Sequence, residues 1–89
     1  MNAIVTVLGK DRVGIIASVC TLLADYNINV LDVSQTIMEG YFTMIMMVDT
    51  SAITKPFAEV ANELTELGRK MSLDIRIQRE EIFDAMHTI

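Results

Sequence analysis

The spacing of apolar positions changes period along the chain, and each change marks an element. Residues 3–8 (Ala-Ile-Val-Thr-Val-Leu) are apolar on both alternating sides and rich in β-branched side chains, the pattern of a central strand covered on at least one face. From Gly14 the period becomes helical: Ile16, Val19, Cys20, Leu23 and Tyr26 share one side, and Ser18, Thr21 and Asp25 take the other. Asn27 is the helix stop. Ile28 to Met38 is extended again, but its apolar phase slips from Ile28 and Val30 to Leu31, Val33 and Ile37, which a bulge near Val30 explains. Glu39-Gly40, a two-residue link ending in glycine, then predicts a hairpin into a third strand over Tyr41–Val48.

Thr54-Lys55-Pro56 opens the second helix, with Thr54 as candidate N-cap and Pro56 in the first turn, where its missing N–H costs nothing. Phe57, Val60, Ala61, Leu64, Leu67 and Met71 form its core stripe. Glu59, Glu63 and Glu66 come early on the solvated side and Arg69 and Lys70 late, an order that suits the helix dipole, while Gly68 weakens the last turn. Leu73 to Arg79 alternates cleanly, with Leu73, Ile75 and Ile77 inward and Asp74, Arg76 and Gln78 outward, and reads as an edge strand. Beyond it, Ile82, Phe83, Met86 and Ile89 fall on one face of a short helical turn that needs a surface to cover.

The order β-α-β, hairpin, β-α-β predicts an α+β, ferredoxin-like βαββαβ sandwich: a four-stranded antiparallel sheet, two helices on one face and a short C-terminal helical tail. We place the domain at residues 1–79 and the tail at 80–89. The third strand is apolar on both sides, with Phe42, Met44, Met46 and Val48 opposed by Tyr41, Ile45 and Met47, so the sheet face without helices is expected to be covered by a partner chain or by the tail.

At 89 residues there is room for one core, and a chain this short buries a small share of its surface, which favours oligomerisation. The net charge of −5 and the scattering of Lys10, Arg12, Lys55, Arg69, Lys70, Arg76 and Arg79 argue against direct nucleic-acid binding, which rests on clustered cations. Residues 1–8 lack the features of a signal peptide, and no apolar run approaches the roughly 20 residues of a membrane span, so a cytoplasmic protein without membrane attachment is expected. Cys20 is the only cysteine and lies in an apolar helical run, as a small buried thiol does; no metal site and no cofactor are expected. The methionines of the hairpin region, Met38, Met44, Met46 and Met47, fit packing better than soft-metal chemistry. The single histidine, His87, lies in the tail with no arguable catalytic partner, and the carboxylates gather on the solvated side of the second helix, so no enzyme is expected.

The stretch with chemical potential is Gly9-Lys10-Asp11-Arg12-Val13-Gly14, between the first strand and the first helix. It is neither a P-loop nor G-x-G-x-x-G, since Gly14 is followed by Ile15-Ile16, so it is no nucleotide cradle. The first helical N–H groups nevertheless make this end attractive to an anion. Asp11 has two readings, a cap for the helix or a seat for the ammonium of a small zwitterion whose carboxylate meets those N–H groups. Arg12 is either solvated or paired with a nearby acid, and a carboxylate ligand could recruit it. Asn29 is either a turn former after the helix or an amide able to serve both ends of a zwitterion.

Leu8-Gly9-Lys10-Asp11-Arg12-Val13-Gly14-Ile15-Ile16, followed by Asn27-Ile28-Asn29-Val30 and Asp32-Val33-Ser34-Gln35, resembles an ACT domain over nearly the whole chain. With the ending Ile82-Phe83-Asp84-Ala85-Met86 it is similar to the small stand-alone ACT proteins related to the amino-terminal ACT unit of the glycine cleavage system transcriptional repressor. The resemblance implies a regulatory, non-catalytic module that binds a small effector, an amino acid or other small carboxylate, between two domains paired edge to edge through their second strands. Carried over by position, the ligand site would use Asp11, Arg12, Val13, Gly14 and Ile15 of one chain and Asn29 of its neighbour, with Leu31, Val33 and Ile37 at the homodimer interface. Amino-acid-sensing ACT domains of some biosynthetic enzymes tend to carry Asn at the position of Asp11 and Pro at that of Val13, a departure that bears on the ligand. The alternative is a ligand-independent protein–protein interaction module that docks on an enzyme or transcriptional regulator.

Overall fold

The computed structural model describes residues 1–81. Its elements follow the expected order: β1 (Asn2–Lys10), α1 (Ile15–Asp25), β2 (Asn29–Met38), β3 (Tyr41–Asp49), α2 (Phe57–Met71) and β4 (Leu73–Arg79). All strand pairs are antiparallel and the sheet order is β2-β3-β1-β4, which puts β1 and β3 in the centre and β2 and β4 on the edges. Ile82, Phe83, Met86, His87 and Ile89, and with them the expected helical tail, lie outside the described residues.

The inward row of β4 was visible in its alternation, whereas β1 and β3 are apolar on both sides and packing against the helices decides which row turns inward. Ala3, Val5 and Val7 of β1, Phe42, Met44, Met46 and Val48 of β3, and Leu73, Ile75 and Ile77 of β4 are buried against Ile15, Val19 and Leu23 of α1 and Val60 and Leu64 of α2. The expected slip in β2 is present: the pairing of β2 with β3 shifts register between Val30 and Asp32, leaving Leu31 as the extra residue. After the bulge Val33, Gln35 and Ile37 pair with Met46, Met44 and Phe42, so they face the helices; opposed residues of antiparallel strands point to the same side. α1 does not reach over this edge, and all three are exposed.

The hairpin turns at Glu39 (φ 52°) and Gly40 (φ 83°), two left-handed residues in succession, as a two-residue link between twisted strands requires. Asn27 ends α1 as expected. It takes φ 59° and its N–H donates to Ala24 O at 3.0 Å, while Ile28 N–H donates to Leu23 O at 2.9 Å, the paired bonds of a Schellman closure. Ile28 and Leu23 both enter the core and seal that closure.

Three local expectations are corrected. α1 buries Ile15 instead of Ile16, because the inward stripe runs through Ile15, Val19 and Leu23 at four-residue steps and leaves Ile16 on its flank, beside the gap toward β2. Thr54 does not cap α2: its N–H is engaged by Tyr26 O at 3.1 Å, and Pro56 (ψ 143°) is the N-cap, its carbonyl accepting from Glu59 and Val60. Cys20 is half-buried at the margin of the core, more accessible than a fully buried thiol. Gly68 does more than weaken the last turn of α2: it is buried, and a Cβ there would sit 2.6 Å from Leu73 O, so its lack of a side chain lets β4 start directly beneath the helix.

Candidate functional site

The end of β1 that pairs with Tyr41 delivers the loop from Asp11 to Gly14 next to the hairpin turn. Asp11 N–H donates to Gly40 O at 2.8 Å, which ties the loop to that turn. On the other side Arg12 Nη1 donates to Met71 O at 3.0 Å, placing a cation on a carbonyl at the C-terminal end of α2. The loop is therefore fixed at two points by partners distant in sequence. Gly14 (φ 90°) is the N-cap of α1, and Ser18 N–H donates to its carbonyl at 2.9 Å. No side chain caps this helix, so the reading of Asp11 as its cap is corrected: the loop's course, fixed by Gly40 and Met71, commits the Asp11 backbone to the hairpin, and its carboxylate makes no hydrogen bond within the described residues.

Between this loop, the first turn of α1 and the overhanging part of β2 lies a cavity of about 310 Å³, lined by Asp11, Arg12, Gly14, Ile15, Ile16, Ala17, Gln35, Ile37 and Phe42. The structure thus brings together Asp11, Arg12, Gly14 and Ile15 of the expected set. Val13 is 99 % exposed and stands outside the lining. Asn29 is at the opposite end of β2, paired with Asp49, about 30 Å of strand away from Met38 at ~3.3 Å per residue. It cannot serve the cavity of its own chain. Gln35 and the position of Ile37 in the cavity wall were missed, although a signal existed: with the bulge placed at Val30, period two through Val33 puts Gln35 and Ile37 on the helix side.

What the cavity can do follows from its groups. A lone carboxylate attracts an ammonium, and uncapped N–H groups at the start of α1 attract a carboxylate. A volume at the low end of the roughly 300–1,000 Å³ of small-molecule pockets suits a ligand of metabolite size. The cavity is open toward the free edge of β2, where Leu31, Val33 and Ile37 are 50 %, 44 % and 58 % exposed.

Other surfaces have less to offer a ligand. A larger groove of about 470 Å³ runs between α1 and α2 past Thr21, Leu22, Asp25, Tyr26 and Leu67, but the Tyr26 hydroxyl donates there to Glu63, and that bond holds the phenol above its ordinary pKa. Lys55 stacks on the same ring, 5.3 Å from its centroid. At the Asn29 end, Asp49 accepts the Ser51 N–H at 2.9 Å, which holds its carboxyl below the usual range. Among the described residues no group of three or more His, Cys, Asp or Glu is placed to hold a metal ion, and no helix is long and apolar enough to cross a membrane.

Comparison with known proteins agrees with this architecture. Residues 2–78 match the family model for the ACT domain. A UPF0237 protein of Listeria innocua is 61 % identical over 89 residues, all of both chains. Among solved structures, an ACT domain protein from Streptococcus pneumoniae superposes with a TM-score of 0.81 at 39 % identity, covering 98 % of each chain. A putative glycine cleavage system transcriptional repressor shares the fold, with a TM-score of 0.73 at 23 % identity over 86 % of this chain and 44 % of its own. Sequence and fold together place the chain in the ACT domain family, among the UPF0237 proteins.

Proposed function

We propose that this chain is a cytoplasmic, non-catalytic sensor that binds an amino acid between the two subunits of a homodimer. ACT domains are generally regulatory modules that bind small ligands. The observation that carries the reading is the cavity beside Asp11, which has a carboxylate unpaired among the described residues, an uncapped helix start and an open side at the β2 edge. The α-ammonium of the ligand sits on Asp11 and its α-carboxylate on the first-turn N–H groups of α1, with Gln35 beside them. Pairing two β2 edges about a two-fold axis near the middle of the strand closes the open side and brings Asn29 of the partner subunit to the level of Ile37 and Met38. Leu31, Val33 and Ile37 leave water in the same step. Residues 1–79 form the sensing domain and 80–89 a separate tail.

Calorimetric titration of the full-length protein with the twenty amino acids tests this. At least one is expected to bind at millimolar concentration or below, with binding lost in Asp11→Ala and Asn29→Ala. Absence of any binder would remove the sensing claim.

A further inference from the structure

The lining of the cavity divides into a charged end and an apolar end. Asp11, Arg12 and Gly14 stand at the loop, and Ile15, Ile16, Ala17, Ile37 and Phe42 make the remaining walls with Gln35 as their one polar member. Ile15 and Phe42 form a floor excluded from water, while Ile16 and Ile37 are partly exposed because no element among the described residues covers them. Asp11 is the only acid of the lining and Arg12 the only base, and the guanidinium of Arg12 already donates to Met71 O. A bound zwitterion uses the acid and the helix start for its two α-groups. A cationic side chain on the ligand would then lie against isoleucine and phenylalanine with no second acid to meet it, and an anionic one would have to leave those walls for the Arg12 guanidinium at the charged end, forfeiting the apolar contact.

Building on the amino-acid reading above, we infer that the site selects α-amino acids with uncharged aliphatic side chains of leucine, isoleucine or methionine size, and that Ile16 and Ile37 set this preference. The ligand side chain fills the gap between the start of α1 and β2, replacing water on the exposed flanks of both isoleucines. Each methylene fitted into such a pocket is worth about 10–200-fold in discrimination, so even partial contact gives leucine at least a tenfold advantage over glycine. Ile16 is the cleaner of the two to test, because it lies on α1 and away from the β2 edge.

The experiment is calorimetry on the full-length protein with leucine, isoleucine, methionine, glycine, serine, aspartate, glutamate, lysine and arginine, repeated on Ile16→Ala. The expected result is that the three aliphatic ligands bind at least tenfold tighter than glycine and serine, and that the charged ones do not saturate where leucine does. Ile16→Ala, whose half-exposed position tolerates truncation, is expected to collapse the leucine-to-glycine ratio about tenfold. Tightest binding by glycine, serine or a charged amino acid would overturn the selectivity and leave the amino-acid reading standing. An unchanged ratio in Ile16→Ala would show that the side chain lies elsewhere, and absence of any binding would remove both proposals.

Discussion

Gly68→Ala sets two well-defined effects against each other, and the structure decides the sign. In an exposed helix interior the substitution stabilises by about 1 kcal/mol, because alanine loses less backbone freedom on folding than glycine. Here an added Cβ would lie 2.6 Å from Leu73 O and 3.3 Å from Ile75 N, both backbone atoms of β4, and 3.2 Å from Ile75 Cγ1. Carbon cannot approach a carbonyl oxygen that closely, so either the end of α2 or the start of β4 must move. β4 pairs with β1 from Leu73 onward, and Ile75 is buried, so moving it disturbs both sheet and core. Overpacking of this kind costs about 1–3 kcal/mol, and the clash with backbone puts it in the upper part of that range. Net destabilisation of about 1–2 kcal/mol is expected, a fall in Tm of roughly 4–8 °C per kcal/mol for a domain of this size. Urea titration followed by far-ultraviolet circular dichroism measures it. A midpoint equal to or above that of the parent protein would refute the steric argument.

Leu64→Ala, at a fully buried position of α2, is expected to cost about 2–5 kcal/mol in the same assay. Asn27→Ala should cost about 1–2 kcal/mol from the left-handed backbone, and Asn27→Gly should retain most of that stability despite losing the 3.1 Å bond from Asn27 Nδ2 to Ala52 O. Asp49 and Glu66 are held below their ordinary pKa, first by the Ser51 backbone N–H and by the Arg69 guanidinium respectively. A carboxyl depressed in the folded state contributes stability that is full above its unfolded pKa and lost as pH falls through the folded one. Stability should therefore decline as the solution is acidified from the ordinary carboxylate range downward, and Asp49→Asn should make the decline shallower, read by thermal melts across that range. Leu31→Lys together with Val33→Lys should leave the fold intact and yield a monomer by light scattering at micromolar concentration, where the parent protein is expected to be dimeric.

How much of this was legible in the sequence depended on whether the determinant was local. Period two fixed the inward row of β4, and the phase slip located the bulge before Asp32, because both are written in neighbouring side chains; β1 and β3 are apolar on both sides, so only packing against the helices selects their inward rows. The start of each helix was less legible. Whether Asp11 or Thr54 caps a helix depends on where its backbone is held, by Gly40 in one case and Tyr26 in the other, partners that no local pattern names. The anchoring of Arg12 to Met71, 59 residues away, is of the same kind. The candidate site was half legible: the loop announced itself by its glycines and acid, whereas Gln35 and the cavity-facing side of Ile37 emerge only when the bulge is carried through the register of β2.

The proposed function requires the cavity at the start of α1 to receive an amino acid. Titrating isotopically labelled full-length protein with leucine while following backbone amide resonances tests it most directly. The largest shifts are expected at Asp11–Ala17 and at Gln35–Ile37, with Asn29 responding as the partner's contribution. Shifts centred on Thr21, Leu22 and Leu67 in the groove between the helices, or none at millimolar ligand, would contradict it.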